Sequence, residues 1–252
     1  MADAPLCKQR RKYSRELHDV HLHGNHKLHV LCTSKGKDVD KMLSTFRRKL
    51  GGMPVKLVGV DVEYTHYEKP QRAAVLQLCV EKECLVYHIS AAKDSSKEIK
   101  YIHSIQIYCM PMELDKFLMN DEYTFVGFPI EGDKSKLKVY GLEINSNNYI
   151  DIQVEWRDPY NKKKFDSLAD VAGRMINIHY NDMKKKINRK EDHTLWGFCP
   201  LPNKLIKYAA IDAFATYESW RIIYDVIMGL DRAKRDKEEK KKKNNTVIQY
   251  SN

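Results

Sequence analysis

Alternating hydrophobic and polar positions predict strands and one helix in the first third of the chain. Residues 18–34 alternate on both sides of a Gly-Asn pair, which predicts two strands joined by a tight turn. Residues 37–52 carry apolar side chains at helical spacing and end in two glycines, a pattern typical of a helix and its stop signal. Three apolar runs then predict consecutive strands, antiparallel because their connections are short: 56–64, 74–80 and 84–90.

Helical and extended patterns alternate through the rest of the chain. Strands are predicted at 123–128 and 149–154. Helices are predicted at 111–120, 131–141, 165–176 and 203–230. This order of elements is that of a mixed sheet covered by helices, so the sequence predicts an α/β fold.

Composition is that of a folded protein without a membrane span. The chain has 252 residues, of which 42% are apolar and 31% are charged, a balance unlike that of disordered chains. It contains no run of about 18 apolar residues and no apolar stretch near the N-terminus that would predict a secretory signal. The six cysteines form no CxxC pair. We therefore expect an intracellular protein with reduced thiols, located in the nucleus, the cytoplasm or both.

Charge divides the chain into a body and two basic ends. The formal net charge is +10, of which residues 1–12 contribute +3 and residues 231–243 contribute +4. We predict one folded domain at 18–230, preceded by a flexible basic segment at 1–17 and followed by a charged, Lys-rich tail at 231–252. The basic ends indicate either a polyanionic partner or solvated tails, and charge alone does not distinguish the two.

A further basic stretch lies within the folded part. Residues 181–194 are polar and include five cations: Lys184, Lys185, Lys186, Arg189 and Lys190. Such a loop could follow a phosphate backbone, so these residues are candidates for binding nucleic acid. An exposed loop that only increases solubility is the alternative.

Two carboxylates lie side by side in the third predicted strand. Asp61 and Glu63 are two positions apart in GVDVEYT, so both point to the same face of the strand. Neighbouring carboxylates repel each other and lose hydration, a cost that a divalent cation would offset. Pairing with Lys or Arg, or a solvent-exposed strand end, would also relieve it, so this pair alone leaves the interpretation open.

Two more acids and a tyrosine occur further along the chain. Asp133 follows a predicted strand and stands near the start of a helix, where capping is an alternative role. Asp212 lies in the otherwise apolar stretch LIKYAAIDAFATY, where an acid is rare unless it is paired or functional. Tyr208 precedes Asp212 by four residues and shares its helix face, although a half-buried core tyrosine is the alternative.

Taken in order, these motifs resemble the DEDD superfamily of 3′–5′ exonucleases. The resemblance runs from about Lys56 to Tyr224 and is carried by VGVDVEYTH, AVLQLCVEKECLVYHI, FVGFPIEGDKSKL, SLADVA and LWGFCPLPNKLIKYAAIDAFATYESW. The Y-x-x-x-D motif is similar to that of the branch with Tyr in its third motif, and the closest similarity is to plant Werner-syndrome-like exonuclease domains. Glu131 adds an acid two residues before Asp133, and we expect it to face water.

The resemblance implies both a fold and a site. The fold would be RNase H-like, a five-stranded mixed sheet flanked by helices with the N-terminal β-hairpin as an extension. Two divalent cations, Mg²⁺ or Mn²⁺, would be held by four acids, and Tyr208 would orient the attacking water. Asp61 would contact both ions, Glu63 and Asp212 would complete the site of the attacking water, and Asp133 would hold the second ion.

The implied activity is hydrolysis of phosphodiester bonds from the 3′ end of nucleic acid, with release of nucleoside 5′-monophosphates. The partner would be RNA or DNA with a free 3′ end, single-stranded or recessed. The alternative function is a catalytically silent module on the same fold that binds nucleic acid or a protein partner. A homo-oligomer is also compatible with the sequence.

Five histidines crowd the predicted hairpin: His18, His21, His23, His26 and His29. Alternating polar positions on a solvated edge are the favoured interpretation. The alternative is a transition-metal site, because His21 and His23 share a strand face.

Overall fold

The computed structural model describes residues 12–64, 71–92, 101–102, 105–106, 110–158, 160–183 and 192–249. Nine strands occur in these ranges: β1 (Ser14–His21), β2 (Lys27–Thr33), β3 (Leu57–Tyr64), β4 (Ala73–Val80), β5 (Glu83–Tyr87), β6 (Tyr101–Ile102), β7 (Ile105–Gln106), β8 (Thr124–Gly127) and β9 (Tyr149–Asp151). The α-helices described are α1 (Gly36–Leu50), α2 (Ile89–Ala92), α3 (Met112–Leu118), α4 (Glu131–Lys138), α5 (Ile152–Glu155), α6 (Leu168–Met175) and α7 (Asn203–Gln249). Short 3₁₀ helices span Ile178–Asp182 and Asp192–Gly197.

Seven of the strands form one mixed sheet in the order β1-β2-β5-β4-β3-β8-β9. The meander β3-β4-β5 is antiparallel, as the short connections predict. Strands β8 and β9 extend it in parallel from β3. The predicted α/β fold with a mixed sheet flanked by helices is therefore confirmed.

The expectation of a five-stranded sheet is wrong, because the N-terminal hairpin is part of the sheet. Strand β2 pairs in parallel with β5, with Val30 opposite Cys84. This pairing covers the edge that β5 would otherwise expose. It also continues the core across the hairpin, where Leu28 and Val30 are fully buried. Two strands are thereby added to the five.

Strand β9 and helix α7 are among the elements that end at positions other than those the pattern predicts. The predicted strand 149–154 stops at Asp151, because the Asp151 carboxylate accepts a hydrogen bond from the Gln153 backbone N–H at 2.9 Å and caps α5. The predicted helix 203–230 continues to Gln249, through a segment rich in Lys, Glu and Arg, which favour helix. The proposed domain boundary at 230 stays a prediction.

The two faces of the sheet bury separate apolar clusters. One face packs against α1 and α3, with Val58 and Val60 of β3 in contact with this cluster. The opposite face packs against α6 and α7, with Leu57 in that cluster. Alternation along β3 therefore sends every second residue toward α7. Among the described helices, none has the length and hydrophobicity needed to cross a membrane.

The close approach of α7 to β3 depends on Gly59. A Cβ atom at this position would lie 2.3 Å from the Ala213 carbonyl oxygen and 2.8 Å from the Tyr217 Cβ. Only a residue without a side chain leaves room for the helix at this distance. This contact fixes the position of α7 one residue beyond Asp212.

Candidate active site

Strand β3 carries two acids toward α7. Val60 and Val62 point into the cluster beneath α1, so Asp61 and Glu63 point to the other face. Asp61 is partly exposed, whereas Glu63 is buried with 8% of its surface accessible. The β-strand thus holds both carboxylates side by side, as the spacing predicts.

Helix α7 brings a third acid and a tyrosine to the same place. Asp212 is only 4% exposed and lies between Ala209 and Ala213, which are fully buried against the sheet. Tyr208 lies one turn earlier on the same helix face. The apolar residues in this part of α7 pack against the sheet. This packing places the Asp212 carboxylate in the interior.

The three carboxylates converge. One oxygen from each of Asp61, Glu63 and Asp212 lies within 4.8 Å of the other two. At this separation like charges repel strongly in a partly buried site. A hard divalent cation, which takes carboxylate oxygen as ligand, would offset that repulsion.

The Tyr208 hydroxyl belongs to the same cluster. Burial raises the pKa of Tyr208, and the negative charges of Asp212 and Glu63 raise it further. A hydrogen bond with Asp212 acts in the same direction. The hydroxyl therefore stays protonated near neutral pH, so it can orient a water molecule but cannot serve as a base.

Asp133 lies beside the cluster, in the first turn of α4, and is buried. Burial raises the pKa of Asp133 to about 8, with the nearby charge of Asp61 as the next cause. The Lys136 ammonium, 3.7 Å from Asp133 Oδ1, acts in the opposite direction. Asp133 is not one of the three acids whose oxygens converge within 4.8 Å, although the charge of Asp61 contributes to its raised pKa.

Two residues that the sequence did not single out support this corner. Lys136 Nζ also lies 4.1 Å from the ring centroid of Tyr64, so its charge is held between an acid and an aromatic face. Asp151 Oδ2 accepts a hydrogen bond from the Ile130 backbone N–H at 3.2 Å, just before α4 begins. Lys136 follows Asp133 by three residues, and this helical spacing could have indicated Lys136 as its ion-pair partner. No sequence signal indicates Asp151, because its partner is distant in the chain.

Of the other predicted residues near the site, Glu131 faces solvent as expected. Its side chain is 64% exposed, pairs with Lys134 at 3.2 Å and accepts a hydrogen bond from Tyr149. The basic stretch from residue 184 to 190, with all five candidate cations, lies outside the described residues.

A cavity of about 270 Å³ opens next to Tyr208 and Asp212. Leu22 of the hairpin and Ile211 of α7 form part of its wall, together with Tyr180 and Met183. Asp212 therefore places the acid cluster at the edge of a pocket whose wall is partly apolar and aromatic and partly polar, with His21, His179 and Asp182. A planar, partly apolar group bound there would lie against the Asp212 carboxylate.

Comparison with known proteins gives the family. The profile of a family described as 3′–5′ exonuclease matches residues 38–227, most of the chain. An Arabidopsis thaliana protein named 3′–5′ exonuclease is 26% identical over 221 residues. The match covers 78% of this chain and 64% of the relative, so the chain spans less than two thirds of that relative's length.

Solved structures share the fold at low sequence identity. The EXO domain of Nibbler from Aedes aegypti has a TM-score of 0.51 at 17% identity, over 76% of this chain and 86% of that one. The catalytic core of RRP6 from Trypanosoma brucei has a TM-score of 0.54 at 14% identity, over 79% and 48%. The RNase D–GMP complex from Trypanosoma brucei has a TM-score of 0.51 at 12% identity, over 75% and 56%. The extent of the family match, with the RNase H-like fold, leads to one conclusion: the chain belongs to the 3′–5′ exonuclease family of hydrolases.

Proposed function

We propose that this chain is a metal-dependent exonuclease that removes nucleotides one at a time from the 3′ end of nucleic acid. The observation that carries the proposal is the convergence of carboxylate oxygens from Asp61, Glu63 and Asp212 within 4.8 Å, next to the Tyr208 hydroxyl. Two of these acids come from one strand and the third from a helix about 150 residues later, so the fold itself assembles the set.

The donor set suits two hard divalent cations. Asp61, Glu63 and Asp212, with Asp133 beside them, offer only carboxylate oxygens, which Mg²⁺ and Mn²⁺ prefer. When bound, such ions would lower the pKa of a water molecule and neutralise the oxyanion that leaves. The fit is supported by the burial of Glu63, Asp133 and Asp212, whose mutual repulsion a cation would relieve.

The chain's own residues would position the reactants. Asp61 would be shared by both ion positions, Glu63 and Asp212 would define the side from which water attacks, and Asp133 would define the side of the leaving group. Tyr208, kept protonated by its surroundings, would hold the water through its hydroxyl. Such alignment of a nucleophile is worth several orders of magnitude in rate.

The proposed reaction is hydrolysis of the last phosphodiester bond of the strand. The water oxygen forms a bond to the phosphorus of the last nucleotide while the bond from phosphorus to the preceding 3′-oxygen breaks. The proton from water passes to solvent, and the 3′-oxygen takes one from solvent. The products are a nucleoside 5′-monophosphate and a strand shortened by one nucleotide. The complex of a structural neighbour, RNase D, with GMP is consistent with a nucleotide product.

The cavity beside Tyr208 would receive the terminal base. Leu22, Ile211 and Tyr180 give it apolar and aromatic surface, and base stacking on such surface tolerates any sequence. RNA and DNA are both candidate substrates, as single strands or recessed ends. Cations in the 184–190 stretch would contact the phosphate backbone of the strand.

Finer features of the proposal follow from the sequence. The spacing of Tyr208 and Asp212 supports membership of the Tyr-type branch, and the order of the sequence motifs supports a likeness to plant Werner-syndrome-like exonuclease domains. Location in the nucleus or cytoplasm, a domain spanning 18–230 and a homo-oligomer or protein partner stay predictions.

The test is degradation of oligonucleotides labelled at the 5′ end, with RNA, single-stranded DNA and recessed duplex DNA assayed side by side in Mg²⁺ and in Mn²⁺. We expect ladders that shorten from the 3′ end and nucleoside 5′-monophosphates as products. Asp61→Asn and Asp212→Asn should abolish both. Asp225→Asn, an exposed acid on the same helix α7, is the matched control and should leave the rate unchanged.

A circular oligonucleotide of the same sequence distinguishes exonuclease from endonuclease activity, because it has no 3′ end. Cleavage of the circle would contradict the proposal. If the wild-type chain leaves every linear substrate intact with either metal but retains binding to them, the silent binding module replaces the exonuclease.

A further inference from the structure

We propose that the N-terminal hairpin carries a second metal site, for a transition metal such as Zn²⁺, formed by Glu16, His18 and His29. We refer to these three residues as the hairpin site. One ligand atom from each residue lies within 4.8 Å of the other two. The proposal is independent of the exonuclease activity.

An irregularity in strand pairing brings the three residues together. The register between β1 and β2 shifts between Leu17 and Val20, so His18 lies within the irregular segment. Its ring stacks on that of His29 with centroids 4.7 Å apart and planes inclined by 8°. Glu16 pairs across the ladder with Leu31, two residues from His29, so its carboxylate reaches both imidazoles.

Hydrogen bonding already orients His29 as a ligand. Its Nδ1 lies 2.5 Å from Glu83 Oε2. An ionised carboxylate only accepts hydrogen bonds, so Nδ1 carries the proton, and in the neutral imidazole Nε2 presents its lone pair. Within the described part of the chain, this buried Nε2 has no hydrogen-bond partner. A carboxylate behind a histidine is the usual support of a metal-bound imidazole.

The distances suit a small ion with tetrahedral preference. Glu16 Oε2 lies 3.5 Å from His18 Nε2 and 3.9 Å from His29 Nε2. An ion bonded to its ligands at about 2.0–2.2 Å in tetrahedral geometry holds them about 3.4 Å apart. To hold one ion, the Glu16–His29 pair would have to close by about half an ångström, and the nearly parallel rings of His18 and His29 would have to turn so that both nitrogen lone pairs point at the ion. Water could take the fourth position, as in sites with two His and one Glu.

The two imidazole ligands, rather than the surrounding charges, favour a transition metal over Mg²⁺. Besides Glu16 and Glu83, the adjoining cavity of about 240 Å³ is lined by Lys41 and Arg48 of α1. These cations offset the two carboxylates, so charge alone would not hold Mg²⁺ there. Zn²⁺ gains affinity from the two imidazole nitrogens, which suit transition metals.

The hairpin site is separate from the acid cluster. His29 belongs to the face of the sheet that packs on α1, as shown by the α1 residues lining its cavity. Asp61 and Glu63 point to the α7 face, and two strands lie between β2 and β3. The histidine pair suggested by the sequence alternation, His21 and His23, is not the cluster that forms. His23 Nδ1 instead lies 2.9 Å from the Tyr180 hydroxyl.

The test is equilibrium dialysis of Zn²⁺ against the full, untagged chain carrying Asp61→Asn and Asp212→Asn, which remove two of the three converging carboxylates of the candidate active site. We expect one equivalent of bound Zn²⁺. His18→Gln or His29→Gln in this background should weaken binding at least 100-fold. Glu83→Ala should weaken it about 10- to 100-fold, the usual loss on removing such a support. His26→Gln, whose imidazole faces Lys82 at 2.9 Å, is the matched control and should bind as before.

Substituting Co²⁺ supplies a second readout, since a tetrahedral site gives visible absorption that His29→Gln should remove. Thermal unfolding without metal checks that each variant is folded. If a histidine variant fails to fold, Glu16→Gln provides another ligand variant, because Glu16 is exposed and its replacement should not disturb the fold. Absence of bound Zn²⁺ would overturn the proposal. The proposal would also be overturned if the ligand variants bound Zn²⁺ with unchanged affinity, or if His26→Gln weakened Zn²⁺ binding as much as the ligand variants do.

Discussion

Replacing Gly59 by alanine tests whether the packing of α7 on β3 sets the geometry of the candidate active site. The added Cβ would lie 2.3 Å from the Ala213 carbonyl oxygen and 3.0 Å from the Tyr217 backbone nitrogen. Ordinary contact begins at 3.4 Å, so α7 must move away from β3 by about 1 Å. Asp212 precedes Ala213 and would move with it, away from Asp61 on β3.

The magnitude follows from overpacking and from misalignment. Forcing a methyl group into a packed core costs typically about 1–3 kcal/mol of the unfolding free energy. A displacement of about 1 Å in a catalytic group can lower the rate about 100-fold. We therefore expect kcat of Gly59→Ala to fall roughly 100-fold. At a temperature where the variant is still folded, its lower stability alone would not reduce kcat this much.

The assay combines urea unfolding with single-turnover degradation of a labelled oligonucleotide. Gly229→Ala, in the same helix with no atom within 4 Å of its added Cβ, is the control and should be neutral or slightly more stable. If Gly59→Ala unfolds within 0.5 kcal/mol of wild type and retains kcat within a factor of about two, the reasoning on close packing is refuted.

Three more substitutions probe the surroundings of the acids. Tyr208→Phe should lower kcat about 10- to 100-fold with little change in KM or in Mn²⁺ affinity, because it removes one positioning hydrogen bond; an equal loss of metal binding would contradict this role. Asp151→Ala should lower the unfolding free energy by about 1–3 kcal/mol, since the Ile130 and Gln153 N–H groups both lose their acceptor; the exposed Asp166→Ala is its control in the same urea titration. Lys136→Met should destabilise the metal-free chain by about 1–3 kcal/mol above about pH 8, where the Asp133 carboxyl is ionised, because that carboxylate loses a cation 3.7 Å away. Thermal unfolding should then show a larger stabilisation by Mn²⁺ than in wild type, and an unchanged increment would argue against electrostatic compensation by Lys136.

The sequence predicts those parts of the site that depend on local periodicity. Asp61 and Glu63 share a face because a strand repeats every two residues, and Tyr208 and Asp212 share one because a helix brings positions four apart together. The structure brings the three carboxylates into one cluster at the place where β3 and α7 touch, and Tyr208 joins it through its hydrogen bond with Asp212. Alternation also marks Gly59 as an α7-facing position, but the need for glycine appears only once the helix is in place.

Features that depend on pairing between distant segments could not be predicted. The joining of β2 to β5 is set by burial of an edge and has no local pattern. The meeting of His18 and His29 requires an irregular register, which periodicity cannot reveal. Asp151 acts on a backbone N–H group 21 residues earlier, a relation that only the parallel arrangement of β8 and β9 creates.

A titration of Mn²⁺ followed by electron paramagnetic resonance tests the central claim most directly, because free Mn²⁺ gives a signal that bound Mn²⁺ loses. With wild-type chain and a nucleoside 5′-monophosphate present, the account predicts that two ions bind per chain and that Asp61→Asn removes both or leaves only weak binding. Asp225→Asn should behave as wild type. A wild-type chain that binds no Mn²⁺, or an Asp61→Asn variant that binds it equally well, would contradict the claim that these carboxylates share the metal ions of the reaction.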